Sequence, residues 1–400
     1  MTLRGTAVIA GVAEYPPQRR YDGPRLLTIE QWAELSRLAL ADSNISPREV
    51  DGLICTDLRE SELFAPATIA EYVGWSLNFA ERIDLGGASP VGMVWRAAAA
   101  IEMGICETVV CAVPARPRPR SPAPPQRPGG WTAFGASSTA WGSPQAEFEI
   151  PYGHFGQNAG YALIANRYAA EFGYDPVATA KIAVDQRTNA CANAAAVFHG
   201  QPITVDDVLA SKLVADPLHL LEIVMPCFGG AAIVVTTAER ARASRHRPVH
   251  VVGCGEHLSN KSPAFAPDLV RTPIGPAADR AFSMAGVARH EVDVVQLYDC
   301  YTITVLLSIE DAGFCGKGDG MAFVRGHDLT WRGDFPTNTG GGQLGFGQAY
   351  LAGGFCQVIE AVRQIRGAAA GRQVKDCDIA FVSGTGGIMS EQTAVLLRGG

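Results

Sequence analysis

The sequence predicts an α/β protein built from two similar halves, in which mostly parallel sheets are layered with helices as α/β/α/β/α. Three observations carry this. Apolar, β-branched runs without clean two-residue alternation alternate along the chain with helix-like stretches, the pattern of strands covered on both faces. The triplet Glu49-Val50-Asp51 recurs as Glu291-Val292-Asp293, each time after a helical stretch and before an apolar run. Each half then continues with a Gly-rich turn, a small-residue helix and a second apolar run.

In chain order, TAVIAGV from Thr6 reads as the first strand and Thr28 to Asn44 as a helix, and Val50 to Thr56 follows as a buried strand. The Gly-rich turn at Gly86-Gly87 opens the small-residue helix, and TVVCAV closes the unit. The second half repeats the order with PVHVVGCGEH from Pro248, a helix around Ala277 to Ala288, RHEVDVVQLYDCY, GGGQLGFGQAY from Gly340 and DIAFVSG. This organisation predicts an N-terminal half over 1–245 and a C-terminal half over 246–400. The first half carries an inserted loop and lid region at about 114–210. PARPRPRSPAPPQRPGG from Pro114 is predicted to be a loop, because proline fixes φ and removes a ladder donor. Its arginines 116, 118, 120 and 127 are candidates for an anionic ligand or a partner surface, against the plainer reading of a surface excursion. The helix-like QNAGYALIANRYAAEFG and VATAKIAVDQRTNACANAA fit a lid or binding lobe.

Composition excludes several functions. With 47% hydrophobic and 18% charged residues the chain buries a large core. A formal charge of −7 argues against nucleic acid as a partner. No apolar run is long enough to span a membrane and no leader pattern opens the chain. The ten cysteines form no C-x-x-C pair, so they read as buried thiols of a cytoplasmic protein, and no spacing suggests a metal site.

DLGGASPVGMVWRAAAAIEMG, PCFGGAAIVVTT, QLYDCYTITVLLSIEDAGFCGKG, NTGGGQLGFGQAY and SGTGG follow one another in the order seen in the thiolase superfamily. The chain resembles its sterol-carrier or lipid-transfer branch over essentially its whole length. The resemblance implies the thiolase fold, a homodimer and an acyl-CoA substrate, with coenzyme A entering as part of that substrate and no covalently bound cofactor.

Departures from the family strings are as informative. Counting back from Gly104 in the family's spacing places the nucleophilic cysteine at Gly87, which has no side chain. The family's H-D-C-F string is Tyr298-Asp299-Cys300-Tyr301 here, its G-H-P string is Gly347-Gln348-Ala349-Tyr350, and its C-x-G turn is Ser383-Gly384-Thr385-Gly386-Gly387. A YD dipeptide with GGQLG and a following tyrosine resembles the thiolase-like aldolases that shorten steroid side chains. That resemblance implies retro-aldol cleavage of a tertiary β-hydroxyacyl-CoA to a ketone and a short acyl-CoA such as propionyl-CoA. It also implies a separate zinc-ribbon/OB-fold protein as partner.

Such cleavage needs a base for the hydroxyl, donors for the thioester enolate and an acid for the α-carbon, but no acyl-enzyme. The resemblance assigns Tyr298 as base and Tyr350 as donor, with the exchange of roles open and Tyr301 in reserve. Asp299 orients Tyr298 or a loop amide, and backbone N–H groups near Gly87 and Gly386 hold the oxyanion; packing alone explains these residues equally well. Ser89 reads as a helix cap rather than a substitute nucleophile, and Cys300 as a packed thiol. His154, His257 and His327 stand isolated in sequence. Two other functions stay open, a thiolase with an unusual nucleophile and a non-catalytic lipid or acyl-CoA scaffold.

Overall fold

The structure, a computed structural model, describes residues 3, 5–120, 140–154 and 156–400. Arg127 and most of the proline-rich segment lie outside the described residues. The strands, in chain order, are β1 (Ala7–Gln18), β2 (Gly52–Cys55), β3 (Phe79–Arg82), β4 (Thr108–Ala115), β5 (Leu213–Ala215), β6 (Leu218–His219), β7 (Phe228–Thr237), β8 (Val249–Leu258), β9 (Val294–Gln296), β10 (Ile379–Gly386) and β11 (Glu391–Gly399). β5 and β6 pair with each other, and the other nine run in the order β3-β2-β4-β7-β1-β8-β11-β10-β9.

From the β1–β8 contact outward, this order reads alike in both directions. β7 and β11 flank the centre, β4 and β10 come next, then β2 and β9. β2, β3 and β4 are mutually parallel, as are β9 and β10. β7 and β11 each run against both neighbours. Each run of strands is therefore mostly parallel, with one reversed member. β1 and β8 meet only at Val8–His250 and Ile9–Val249.

The recurring triplet has a structural cause. Asp51 accepts hydrogen bonds from the Glu107 and Thr108 amides ahead of β4, and Asp293 accepts from Asp378 and Ile379 at the start of β10. Glu49 and Glu291 each accept the amide three residues before them. The two acidic side chains thus tie a short turn to the strand beside it in both places, satisfying amides that the ladder leaves free.

Helices Ser89–Glu102 and Gly353–Ile365 lie between the sheets, sharing one core with inward residues of strands from both runs. Phe355 sits fully buried there, so truncating it to alanine costs roughly 3–5 kcal/mol. Helix Thr28–Ser43 covers one outer face and helices Ile274–Ala285 and Thr302–Asp311 the other. These are the five layers predicted.

Some boundaries differ from the sequence reading. Helix Ile274–Ala285 starts earlier and stops at Gly286, whose φ of 62° ends it before Ala288. Pro114, expected in a loop, is in β4 opposite Gly230. The β2 register ends at Ala112, so β4 has lost one neighbour where its missing donor falls. In the stretch read as an insertion, helices Gln157–Phe172 and Pro176–Cys191 share a core, with Tyr161, Tyr168 and Ile182 in one cluster with Leu306 and Ile309. Among the described residues no helix is long and apolar enough to cross a membrane.

Candidate active site

The N-termini of the two central helices meet the loops after β9 and β10. Gly87 is the middle residue of the short turn Gly86–Ala88 before helix Ser89–Glu102, and a Cβ on Gly354 would stand 2.6 Å from the Gly87 carbonyl oxygen. Gly86 lies against Gly386, where a Cβ would come 3.3 Å from the Gly386 Cα. A Cβ on Gly386 would strike the Leu85 carbonyl at 2.0 Å. Glycine is required at these positions because two backbones touch.

A cleft of about 520 Å³ opens above this junction, lined by Gly86, Gly87, Tyr298, Tyr350, Thr385 and Gly387 among others. Gln145, Glu149, Gln157 and Tyr161 wall it on the side of the inserted region. A second hollow of about 550 Å³ shares Gln348 and Tyr350 with it and holds Arg59, Arg116 and Arg118. Both tyrosines predicted as catalytic are brought to the same cleft.

Tyr298 is 5% exposed and its ring fills the space where a side chain at Gly87 would project. Its hydroxyl accepts a hydrogen bond from the Gln348 amide at 3.1 Å. Burial pushes its pKa well above the ordinary value, the nearby Cys300 thiol adds to this, and the Gln348 bond opposes it only in part. Burial favours the protonated phenol over the phenolate, and the phenol oxygen is engaged by the Gln348 amide.

Tyr350 is different, 56% exposed at the rim and held at φ 48°. Burial and Asp57 raise its pKa, and Arg59 opposes them. In sequence Gln348 stands out only as a missing imidazole; in the structure it lines both hollows and bonds the Tyr298 hydroxyl.

Of the supporting candidates, Asp299 serves the loop amides rather than Tyr298. Fully buried, it accepts from the Gln343 and Leu344 N–H groups at 2.8 and 3.1 Å and from the Gln357 amide at 2.7 Å. Burial nonetheless pushes its pKa up to about 7. Tyr301 is not in the cleft. It is fully buried, stacks on Tyr161 with ring centres 4.1 Å apart, and donates to Asn158 at 2.6 Å. Gly386 contributes through close approach, whereas Gly387 and Thr385 line the opening.

Among the described residues, the other nucleophile candidates from the sequence are not activated. Ser89 is fully buried and accepts the Leu85 amide at 2.9 Å; contrary to the expected cap it is the first helical residue, and the helix has no side-chain cap bond. Cys300 lines the cleft, but burial pushes its thiol up to about 12. His327 stacks on Phe323 and bonds Asp334 away from the cleft, and His257 is an exposed residue of β8. His154 lies behind Glu149, its Nδ1 3.7 Å from that carboxylate. Arg116 packs over the Tyr15 ring, Arg118 approaches Glu60, and Arg120 is exposed.

Comparison with known proteins bears on the family and the fold. Residues 255–399 match the thiolase C-terminal domain-like family. A steroid side-chain-cleaving aldolase of Thermomonospora curvata is 31% identical over 96% of each chain. The 17-hydroxy-3-oxo-4-pregnene-20-carboxyl-CoA lyase of Mycobacterium tuberculosis is 32% identical over 96% of this chain and 97% of its own. The solved Ltp2-ChsH2(DUF35) aldolase superposes with a TM-score of 0.85 at 28% identity, covering 99% of this chain and 98% of that one. A thiolase fold whose nucleophile position is glycine defines the broad class, and within it this chain belongs to the thiolase-like aldolases that these relatives represent. It is a carbon–carbon lyase.

Proposed function

We propose that the chain cleaves a tertiary β-hydroxyacyl-CoA, with a steroid as the acyl group, into a ketone and a short acyl-CoA such as propionyl-CoA. The observation that carries this is the Tyr298 phenol occupying the place of the missing nucleophile, against Gly87, in a cleft without an activated thiol or serine. Retro-aldol chemistry needs no acyl-enzyme. It needs a polarised thioester whose enolate is held as the Cα–Cβ bond breaks.

In this reading the thioester oxygen faces the Gly86-Gly87 and Gly387 backbone. Tyr298 gives its proton to the α-carbon, and Tyr350 donates from the rim, closing over the substrate. The hollow with Arg59, Arg116 and Arg118 takes the anionic end of coenzyme A, opposite charge being favoured there. The division into 1–245 and 246–400, a homodimer, a zinc-ribbon/OB-fold partner and a cytoplasmic location complete the proposal. Support for the partner is the assembly named for the solved relative.

The test is to supply the chain and its partner with a steroid tertiary β-hydroxyacyl-CoA and follow products by mass spectrometry. Ketone and acyl-CoA in equal amounts are expected, with no mass added to the protein. A trapped acyl-enzyme, or ligand binding without turnover when the partner is present, would overturn it.

A further inference from the structure

With the Tyr298 oxygen engaged by the Gln348 amide and Tyr350 on the exposed rim, the β-hydroxyl proton calls for an acceptor elsewhere on the cleft wall. Three carboxylates line the cleft, those of Asp84, Glu149 and Glu391. Asp84 is exposed to solvent, and Glu391 lies on β11 beside the Gly386 turn. Glu149 stands on the opposite wall, 5% exposed, and its Oε1 is buried with no hydrogen-bond partner among the described residues. A buried carboxylate oxygen without a donor costs free energy unless a ligand supplies one.

The surroundings are built to keep it so. The Glu149 carbonyl accepts the amides of Tyr152 and His154, closing a tight turn. That turn places the His154 ring behind the carboxylate, where its Nε2 is also buried and unpaired. Gly160 leaves the room, since a Cβ there would come within 3.2 Å of the His154 Nε2. Gln157 adds a further unpaired oxygen on the same wall. Buried acceptor oxygens of Glu149 and Gln157 lining the same cleft as the two phenols are what a substrate O–H would complete.

We infer that Glu149 is the general base, accepting the β-hydroxyl proton through Oε1, with His154 positioning it from behind. The step balances without a further reactant. The O–H proton passes to Glu149 and the O–H electron pair becomes the π bond of the ketone. The Cα–Cβ pair enters the thioester enolate, and the Tyr298 proton goes to the α-carbon. The proton on Glu149 then returns to the phenolate through solvent in the cleft. This assignment rests on the retro-aldol reading.

The experiment compares wild type with Glu149→Gln, which keeps size and packing, in the complex with the partner. The expected result is a fall in kcat of about 10²–10⁴-fold with little change in KM. Formate is expected to restore part of the activity to Glu149→Ala, a rescue that a packing role would not give. Full activity of Glu149→Gln beside an active wild type would overturn the base assignment and leave the retro-aldol reading standing. An inactive wild type would overturn both.

Discussion

A Cβ at Gly87 would lie 2.2 Å from the Tyr298 hydroxyl oxygen and 2.5 Å from its Cζ, so a side chain at one position excludes the phenol at the other. Restoring the family's cysteine therefore does not restore a thiolase. Gly87→Cys is expected to cost roughly 1–3 kcal/mol through overpacking, to displace Tyr298 and to abolish cleavage without forming an acyl-enzyme. Gly87→Ala combined with Tyr298→Ala should recover part of the lost stability, with a coupling of roughly 0.5–3 kcal/mol in a thermal-melt cycle. Strict additivity would show that the two residues do not compete for space.

Tyr298 is the proton donor in this mechanism, and burial raises its pKa well above the ordinary tyrosine value. A donor with a raised pKa remains loaded as pH rises. The kcat profile should therefore show no alkaline loss from this group up to about pH 10, the value at which an unperturbed tyrosine ionises. Tyr298→Phe keeps the ring against Gly87 and should leave the melting temperature nearly unchanged while kcat falls about 10²-fold or more. A wild-type alkaline limb near pH 8 that vanishes in Tyr298→Phe would restore the phenolate-base assignment.

Asp299 joins the loop after β9 to the Gly342–Gly345 turn, and its pKa of about 7 gives that link a pH signature. The folded value lies above the usual 3.8, so the folded state holds the proton more tightly. Its contribution to stability is full below about pH 4, declines as pH rises to about 7, and is constant beyond. Activity runs the other way, because the ionised carboxylate accepts best from the two amides and Gln357. The expected kcat/KM has an acid limb near pH 7 that flattens in Asp299→Asn, at a lower plateau. An unchanged limb in that variant would assign it elsewhere.

The fold was legible in the sequence because its causes are local and repeated. The acidic triplets mark where a turn ties to a strand, and the apolar runs lack alternation because helices cover both sides of the sheet. Tyr298 and Tyr350 were legible because they stand where family strings carry other chemistry. The burial of Tyr298 and its Gln348 partner were not, since a phenol's proton affinity depends on burial and on what its oxygen accepts. Gln348 registered as an absent histidine rather than a present donor. Tyr301 has the same spacing credentials as Tyr298 but turns under the loop to Asn158 and Tyr161. Glu149 sits in the inserted region outside every motif, so only coordinates bring it to the cleft.

Tyr350 carries backbone strain that separates its contribution to function from its contribution to stability. Its φ of 48° is a left-handed conformation that a bulky aromatic residue rarely adopts, at a cost of order 1–3 kcal/mol. The side chain recovers little of this by burial, being 56% exposed, whereas it lies at the junction of the two hollows. A residue retained there for stability alone would be one that tolerates positive φ. Tyr350→Asn supplies such a residue, and its melting temperature should equal or exceed that of wild type. Its cleavage rate should fall at least 10-fold, and Tyr350→Phe should share the kinetic loss without the gain in stability. If Tyr350→Asn melted several degrees lower while Tyr350→Phe cleaved at the wild-type rate, the hydroxyl would have no part in the reaction and the ring would be a structural clasp.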